Sequence, residues 1–237
     1  MNNCRKCNAE VMGNYCSECG HPVALKRING HYLLHEIEHV LHFERGILYT
    51  IKELMFRPGT NIKRFFSDDR SRLVKPVIFI IVTSLIYTIV SHFFHIESMI
   101  SRDLAAQSSV TKILGWTESH MGYSNILLGA LIALFTKLIF RKYSYNYFEI
   151  LILLCFVMGF GMLIYTLFSL LEGLTHIDFK IISAVFAIGY CTWAIAHFFN
   201  PLKLTSYIKA FFAYIMGMII YYLLAILIGS MIDLILK

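Results

Sequence analysis

Four cysteines near the start of the chain have the residue type and the spacing of a metal site. Cys4, Cys7, Cys16 and Cys19 form the pattern C-x2-C-x8-C-x2-C. Two thiolates that are two residues apart can point at one ion from a tight turn, and a second such pair completes a tetrahedron. The sequence therefore predicts a structural Zn²⁺ ion bound by these four cysteines in a small ribbon over residues 1–24.

Turn-forming residues accompany both cysteine pairs. Asn8 and Gly20 each follow a pair, and Gly13 with Asn14 is predicted to make a hairpin turn between the pairs. About twenty residues cannot build an adequate core, so metal binding would supply most of the folding free energy. Two disulfides are the alternative, and a reducing cytosol would disfavour them. A site closed by four cysteines leaves no position for a substrate, so we expect docking or stabilisation and not catalysis.

A second group of possible metal ligands follows the ribbon. The stretch HYLLHEIEHVLHFER is predicted to form an amphipathic helix with its apolar residues on one face. Within it, His35, Glu36 and His39 match the pattern H-E-x-x-H, which can supply two metal ligands and a base. The pattern is short and no third ligand follows in a suitable place, so we favour the solvated face of an interfacial helix. A metallohydrolase that uses His35, His39 and His42 remains a third functional hypothesis.

The composition of the chain requires a lipid environment. Of its 237 residues, 57% are hydrophobic and only 15% are charged, and the mean hydropathy is +0.64. A soluble domain of this length has about a quarter charged residues. The polar residues concentrate before residue 76, and no cleavable signal sequence is expected, because the first residues contain no apolar stretch. We therefore predict an all-α polytopic membrane protein with the zinc ribbon at its N-terminus, a juxtamembrane segment over 25–75 and a membrane domain over 76–237.

Five apolar blocks have the length needed to cross a bilayer as helices. None alternates apolar with polar residues, so helices fit these blocks better than membrane-spanning strands. Cys155 and Cys191 lie inside two of these blocks and are predicted to be packing residues. A loop is predicted over 96–123, between the first two blocks. The predicted spans are 76–95, 124–140, 147–171, 179–199 and 207–236.

The distribution of Lys and Arg predicts the orientation. From the N-terminal segment through the successive connections to the C-terminal tail, the counts are 12, 2, 3, 1, 2 and 1. Positively charged residues favour the cytoplasmic side. The alternation places the N-terminus and the ribbon in the cytoplasm, and the expected location is a bacterial inner membrane.

The segment just before the first span is basic and amphipathic. Pro58 with Gly59 is predicted to end one helix, and Thr60 or Asn61 to cap the next. Its cations are expected to hold this side in the cytoplasm and to contact anionic lipid headgroups, and no nucleic-acid partner is expected. Phe65 and Phe66 are expected in the membrane interface, and the cations are Lys63, Arg64, Arg70, Arg72 and Lys75.

These features together resemble a bacterial family of unknown function, whose members have an N-terminal zinc ribbon and several membrane spans. The resemblance extends over about the first 90 residues and implies the architecture but no activity. The residues that carry it are the four cysteines with Gly46, Thr50, Leu54, Arg57, Pro58, Gly59, Ile62, Arg70, Arg72 and Pro76.

Two further functional hypotheses follow from the spans. Ionisable residues lie mostly at the ends of the spans, and the centres are aliphatic and aromatic. Because transporters usually place such groups deep in the bilayer, we favour a non-enzymatic scaffold or regulatory protein whose ribbon docks a protein partner. A transporter or channel for a small solute, formed by a homo-oligomer, is the alternative.

Overall fold

The computed structural model describes residues 2–22, 46–94, 96 and 108–235. The predicted histidine-rich helix, with His35, His39 and His42, lies outside these residues. In chain order the elements are β1 (Asn2–Asn3), β2 (Glu10–Val11), α1 (Ile47–Phe56), α2 (Pro58–Ser67), α3 (Pro76–Phe93), α4 (Ser109–Ser119), α5 (Met121–Ile139), α6 (Tyr147–Thr175), α7 (Lys180–Phe199) and α8 (Leu204–Ile235).

The part of the chain that the structure describes has five helices long and apolar enough to cross a membrane. They are α3, α5, α6, α7 and α8, and each falls on one of the predicted spans. The all-α polytopic fold is therefore confirmed. No strand enters this region, since the only sheet within the described residues pairs β1 with β2 near the N-terminus.

Helix α6 is the centre of the bundle. It contacts α3, α5 and α7, while α8 packs on the outside of α5 and α7. Its start is a capping box, in which the Asn146 side chain accepts from the Glu149 N–H at 2.8 Å and the Glu149 carboxylate accepts from the Asn146 N–H at 2.6 Å. Gly159 lets α3 approach closely, because an added Cβ would lie 2.7 Å from the Phe79 ring.

The two cysteines inside the spans are packing residues, as predicted. Cys155 and Cys191 are both buried and free. The Cys191 thiol lies 3.7 Å from the carbonyl oxygen of Val157 and donates to it. This contact joins α7 to α6, and both cysteines belong to the bundle.

Helices α1 and α2 form a hairpin that belongs to the bundle. Leu54, Ile62 and Phe65 are almost fully buried and share one hydrophobic core with the spans. The predicted boundary at residue 75 therefore falls within a continuous core. The prediction that Phe65 lies in the membrane interface is wrong, because its ring packs edge-on against Phe156 of α6 at 5.3 Å. An amphipathic helix has the same pattern whether its apolar face covers lipid or protein, so the sequence could not separate the two.

The loop predicted between the first two spans contains helix α4. Its N-cap is Ser108, whose hydroxyl accepts from the Val110 N–H at 3.1 Å. The Asp233 carboxylate, near the end of α8, accepts from the Ser109 N–H at 2.9 Å and from the Ser108 hydroxyl at 3.2 Å. A carboxylate at a helix N-terminus pairs with the unsatisfied N–H groups there. Helix α4 is thus fixed to the far end of α8, a contact between residues 124 positions apart.

Replacing Asp233 with Ala is expected to release the start of α4. The Ser109 N–H would lose its acceptor, which costs about 0.5–2 kcal/mol at a helix cap. Hydrogen exchange of the α4 amides in detergent-solubilised protein is expected to become several-fold faster. Ser230→Ala is the control, because among the described residues the Ser230 hydroxyl bonds only to the Leu227 carbonyl of its own helix. Equal α4 exchange in the two variants would contradict this account of the contact.

Candidate metal centre

The structure brings the four N-terminal cysteines together. One Sγ atom from each lies within 4.8 Å of all the others. Within the cluster, the Sγ atoms of Cys4 and Cys19 are 3.6 Å apart, and those of Cys7 and Cys16 are 3.5 Å apart. Four sulfur atoms around a tetrahedral ion at about 2.3 Å are about 3.8 Å apart. The thiols therefore fit a metal ion, and all four positions around that ion would be filled by protein sulfur.

Two matching turns hold the thiols in place. In the first, the Cys4 N–H donates to Ala9 and the Asn8 N–H donates back to Cys4. In the second, Cys16 and Gly20 take the places of Cys4 and Asn8, with His21 as the acceptor. Asn8 and Gly20 have φ values of 62° and 68°, the left-handed conformation that Asn and Gly tolerate best. The turn-forming role predicted for these two residues is thus confirmed.

The hairpin turn predicted at Gly13 and Asn14 is wrong. Each cysteine turn (Cys4–Cys7 and Cys16–Cys19), called a knuckle from here on, instead closes its own small pair of strands. Asn3 pairs with Glu10 around the first knuckle, and Tyr15 pairs with Pro22 around the second. Gly13 and Asn14 form a bend that joins the two units.

Backbone N–H groups favour the ionised form of a cysteine in this cluster. Those of Cys7 and Lys6 lower the pKa of the Cys4 thiol to about 6. The Lys6 nitrogen lies 3.5 Å from the Cys4 sulfur. Metal ions bind the thiolate and not the thiol. The knuckle thus stabilises the ligand form at Cys4.

The ribbon contacts the turn that follows α2. Arg5 donates to the Ser67 carbonyl at 2.6 Å and lies 3.9 Å from the Asp68 carboxylate. His21 forms a further hydrogen bond with the Asp68 carbonyl. The Lys6 ammonium lies 3.6 Å from the Asp69 carboxylate. This electrostatic contact is worth little per pair when exposed, and no short-range sequence signal could have predicted it.

The charge of Asp69 is favoured in this contact. Burial alone would raise its pKa, but two hydrogen bonds from Ser71 and the charge of Lys6 hold the pKa below its usual value. The Asp69 side chain is therefore kept as a carboxylate, which can pair with the basic residues of the ribbon. The sequence Ser67-Asp68-Asp69 therefore has a structural role as the ribbon's contact.

The hairpin below the ribbon is held by buried polar bonds. The Thr50 hydroxyl accepts from the Val74 N–H at 3.0 Å, and the Leu54 carbonyl accepts from the Tyr190 hydroxyl at 3.0 Å. The Asn61 amide donates to the carbonyls of Glu53 and Arg57, both at 3.0 Å. Asn61 therefore satisfies the last carbonyls of α1. The prediction that Thr60 or Asn61 caps α2 is wrong, since α2 begins at Pro58.

Two of the cations expected to face lipid turn toward protein instead. The Arg72 guanidinium lies 3.4 Å from the Glu53 carboxylate and donates to the Tyr49 hydroxyl at 3.1 Å. The Lys63 ammonium lies over the Phe198 ring at 5.7 Å, and burial lowers its pKa. The Arg72 contacts join the segment after α2 to α1, and the Lys63 contact joins α2 to α7.

Comparison with known proteins gives one result. A family model described as "Protein of unknown function (DUF3667)" matches residues 44–88 of the 237. No curated protein and no solved structure matches the chain. The matched segment covers α1, α2 and most of α3, so the similarity is to the buried hairpin and the first span and excludes the ribbon.

The residues that carry this resemblance have structural roles in the hairpin. Gly46 precedes α1 with φ 91°, Pro58 is the first residue of α2, and Pro76 is the first residue of α3. Gly59 lies against α7, where an added Cβ would be 2.5 Å from backbone atoms of His197 and Phe198. These four residues therefore set where helices begin or allow α2 to approach α7.

Proposed function

We propose that this chain is a non-enzymatic regulatory or scaffold protein of a bacterial inner membrane, whose cytoplasmic zinc ribbon docks a protein partner. The observation that carries the proposal is the closed set of four thiols. A structural site of this kind has no open position at which a substrate could bind. The ion stabilises a small surface, and that surface performs the function.

Zinc is the ion that suits the cluster best. Thiolates are soft ligands, and four of them in a tetrahedron are typical of structural Zn²⁺ sites. The sulfur separations of 3.5 and 3.6 Å agree with that geometry. The ion would be held by Cys4, Cys7, Cys16 and Cys19.

A cytoplasmic ribbon is supported by the charges at one end of the bundle. The ribbon contacts the turn after α2, and Phe66 of α2 packs against Tyr145 and Phe198. This end therefore carries the described part of the N-terminal segment, which has nine Lys and Arg residues up to Lys75. The connections after α5 and α7 add Arg141, Lys142 and Lys203. The positive-inside rule assigns such an end to the cytoplasm.

The ribbon has a free apolar surface on which a partner could dock. Met12 is 97% exposed and Tyr15 is 68% exposed, while Arg5, Lys6 and His21 contact the membrane domain. Met and Tyr are enriched at protein interfaces. Because the ribbon contacts the end of α2, a movement of the α1–α2 hairpin would also move a partner bound at these two side chains.

Site-specific photo-crosslinking in cells tests the proposal. With a photoreactive residue at Met12 or Tyr15, we expect one discrete protein adduct. The adduct is expected to disappear when Cys16→Ser removes a zinc ligand. The same photoreactive residue at Arg64, exposed on α2, is the control and should give no such adduct. Failure to form an adduct at either ribbon position, or an adduct that survives Cys16→Ser, would refute docking by the folded ribbon.

A further inference from the structure

A recess at the ribbon end of the bundle gathers positive charge. It lies between the end of α5 with the turn that follows and the start of α8, and its volume is about 110 Å³. One water needs roughly 10–15 Å³ of such space, so a larger group fits. Its polar lining consists of Lys142, Tyr143, Lys203, Thr205, Ser206 and Lys209.

The charge of this recess is not balanced by protein. The lining contains three lysines and no acidic residue. Among the residues that the structure describes, none of the three ammonium groups has an ion pair or a hydrogen bond. Like charges held close together repel each other. An anion in the recess would remove that repulsion and gain three cationic contacts.

The start of α8 adds donors to the same recess. Helix α8 begins at Leu204, and its first turn has no acidic residue. The hydroxyls of Thr205 and Ser206 line the recess beside that turn. The Ser206 N–H already donates to the Lys203 carbonyl at 2.8 Å, whereas the N–H groups at the very start of a helix lack intrahelical partners and favour negative charge. Lysine, hydroxyl and helix N-terminus together are suited to a phosphate group.

The surroundings of the recess favour a lipid phosphate over a soluble one. Leu202 is 93% exposed and Leu204 is 74% exposed, and both flank Lys203. Ile208, on the next turn of α8, is half exposed. Basic sites between spans, next to apolar surface, are where anionic lipid headgroups bind. The acyl chains would cover the apolar side chains while the phosphate enters the recess.

We propose that this recess binds the phosphate of an anionic phospholipid on the membrane face that carries the ribbon. The site is separate from the cations before the first span, since Lys142 and Lys203 come from the connections after α5 and α7 and Lys209 from the start of α8. A stack of Phe140 on Phe199, with ring centroids 4.0 Å apart, adjoins it. Phe199 adjoins Phe198, the ring under Lys63 of α2. The lipid site therefore shares an aromatic cluster with the hairpin.

The test is lipid binding to the purified full-length protein by native mass spectrometry, with phosphatidylglycerol and phosphatidylcholine as probes. Wild type is expected to retain phosphatidylglycerol at least tenfold more tightly. Replacing Lys142, Lys203 and Lys209 with Gln is expected to remove roughly tenfold or more of that affinity. A charge-matched control replaces three exposed cations elsewhere, Lys52, Arg57 and Lys112, and should keep it. The single variant Lys203→Gln guards against misfolding of the triple variant and should show a smaller loss.

Three outcomes would overturn the proposal. Equal binding of the two lipids would show that charge is not recognised. Equal losses in the recess variant and the charge-matched control would show general attraction and no site. Full competition by millimolar inorganic phosphate would show a soluble-phosphate site instead of a lipid site.

Discussion

The double variant Cys4→Ser, Cys7→Ser is expected to contain no bound zinc, whereas the wild-type protein is expected to contain one ion per chain. Two of the four ligands are lost, and a hydroxyl is a far weaker zinc ligand than a thiolate. Apparent binding free energies of structural zinc sites are about 10–16 kcal/mol near neutral pH, and in small modules this is also the folding free energy. The ribbon should therefore unfold. Metal analysis by mass spectrometry and limited proteolysis of residues 1–22 measure the two effects.

The chain supplies its own control for this experiment. Cys155 and Cys191 are buried in the bundle, so Cys155→Ala and Cys191→Ala remove a cysteine without touching the knuckle. Both should retain one zinc ion per chain. Zinc that persists in the double variant, or zinc that is lost from a control, would contradict the assignment of ligands. Iron in place of zinc, visible as colour, would contradict the identity of the ion.

The variant Gly59→Ala is expected to separate α2 from α7. The new Cβ would lie 2.5 Å from the His197 carbonyl carbon and from the Phe198 nitrogen. Both are backbone atoms of a helix and cannot rotate away, so α2 itself must move. Overpacking a tight contact costs about 1–3 kcal/mol, occasionally more. The midpoint of thermal unfolding in detergent should fall by several degrees.

The matched control is Gly189→Ala in α7, where an added Cβ makes no close contact. An added Cβ at Gly189 meets nothing within 4 Å, and Ala is the better helix former by about 0.8–1.0 kcal/mol. Gly189→Ala should therefore leave thermal stability unchanged or raise it. If Gly59→Ala is as stable as Gly189→Ala, then the close approach of α2 and α7 is not a feature of the folded protein.

The double variant Cys4→Ser, Cys7→Ser and the variant Gly59→Ala are expected to have different effects on the ribbon and on the hairpin. The ribbon reaches the membrane domain through exposed charge pairs at Asp68 and Asp69, which are weak individually. The hairpin is fixed by buried contacts. Loss of the ribbon should therefore leave the bundle folded, whereas displacement of α2 should affect both the bundle and the ribbon's contact.

The neighbours of the α1–α2 hairpin and the role of Asn61 could not be predicted from the sequence. Helices α1 and α2 have ten residues each, and their amphipathic pattern indicates an apolar neighbour without naming it. Asn61 has the residue type of an N-cap, yet its amide bonds to carbonyls at the end of the preceding helix. The short connection between α1 and α2 brings those carbonyls within reach, and this geometry is not encoded in residue type.

By itself, the sequence determined the cysteine cluster and the five spans. Both follow from local signals, because two residues between cysteines set the knuckle and about twenty apolar residues set a span. Tertiary structure alone decided the burial of the hairpin, the attachment of α4 to Asp233 and the lysine recess. Each depends on residues far apart in the chain, such as Leu54 and Tyr190 at a separation of 136. Contacts of that kind are selected by packing in three dimensions, and a local pattern carries no information about them.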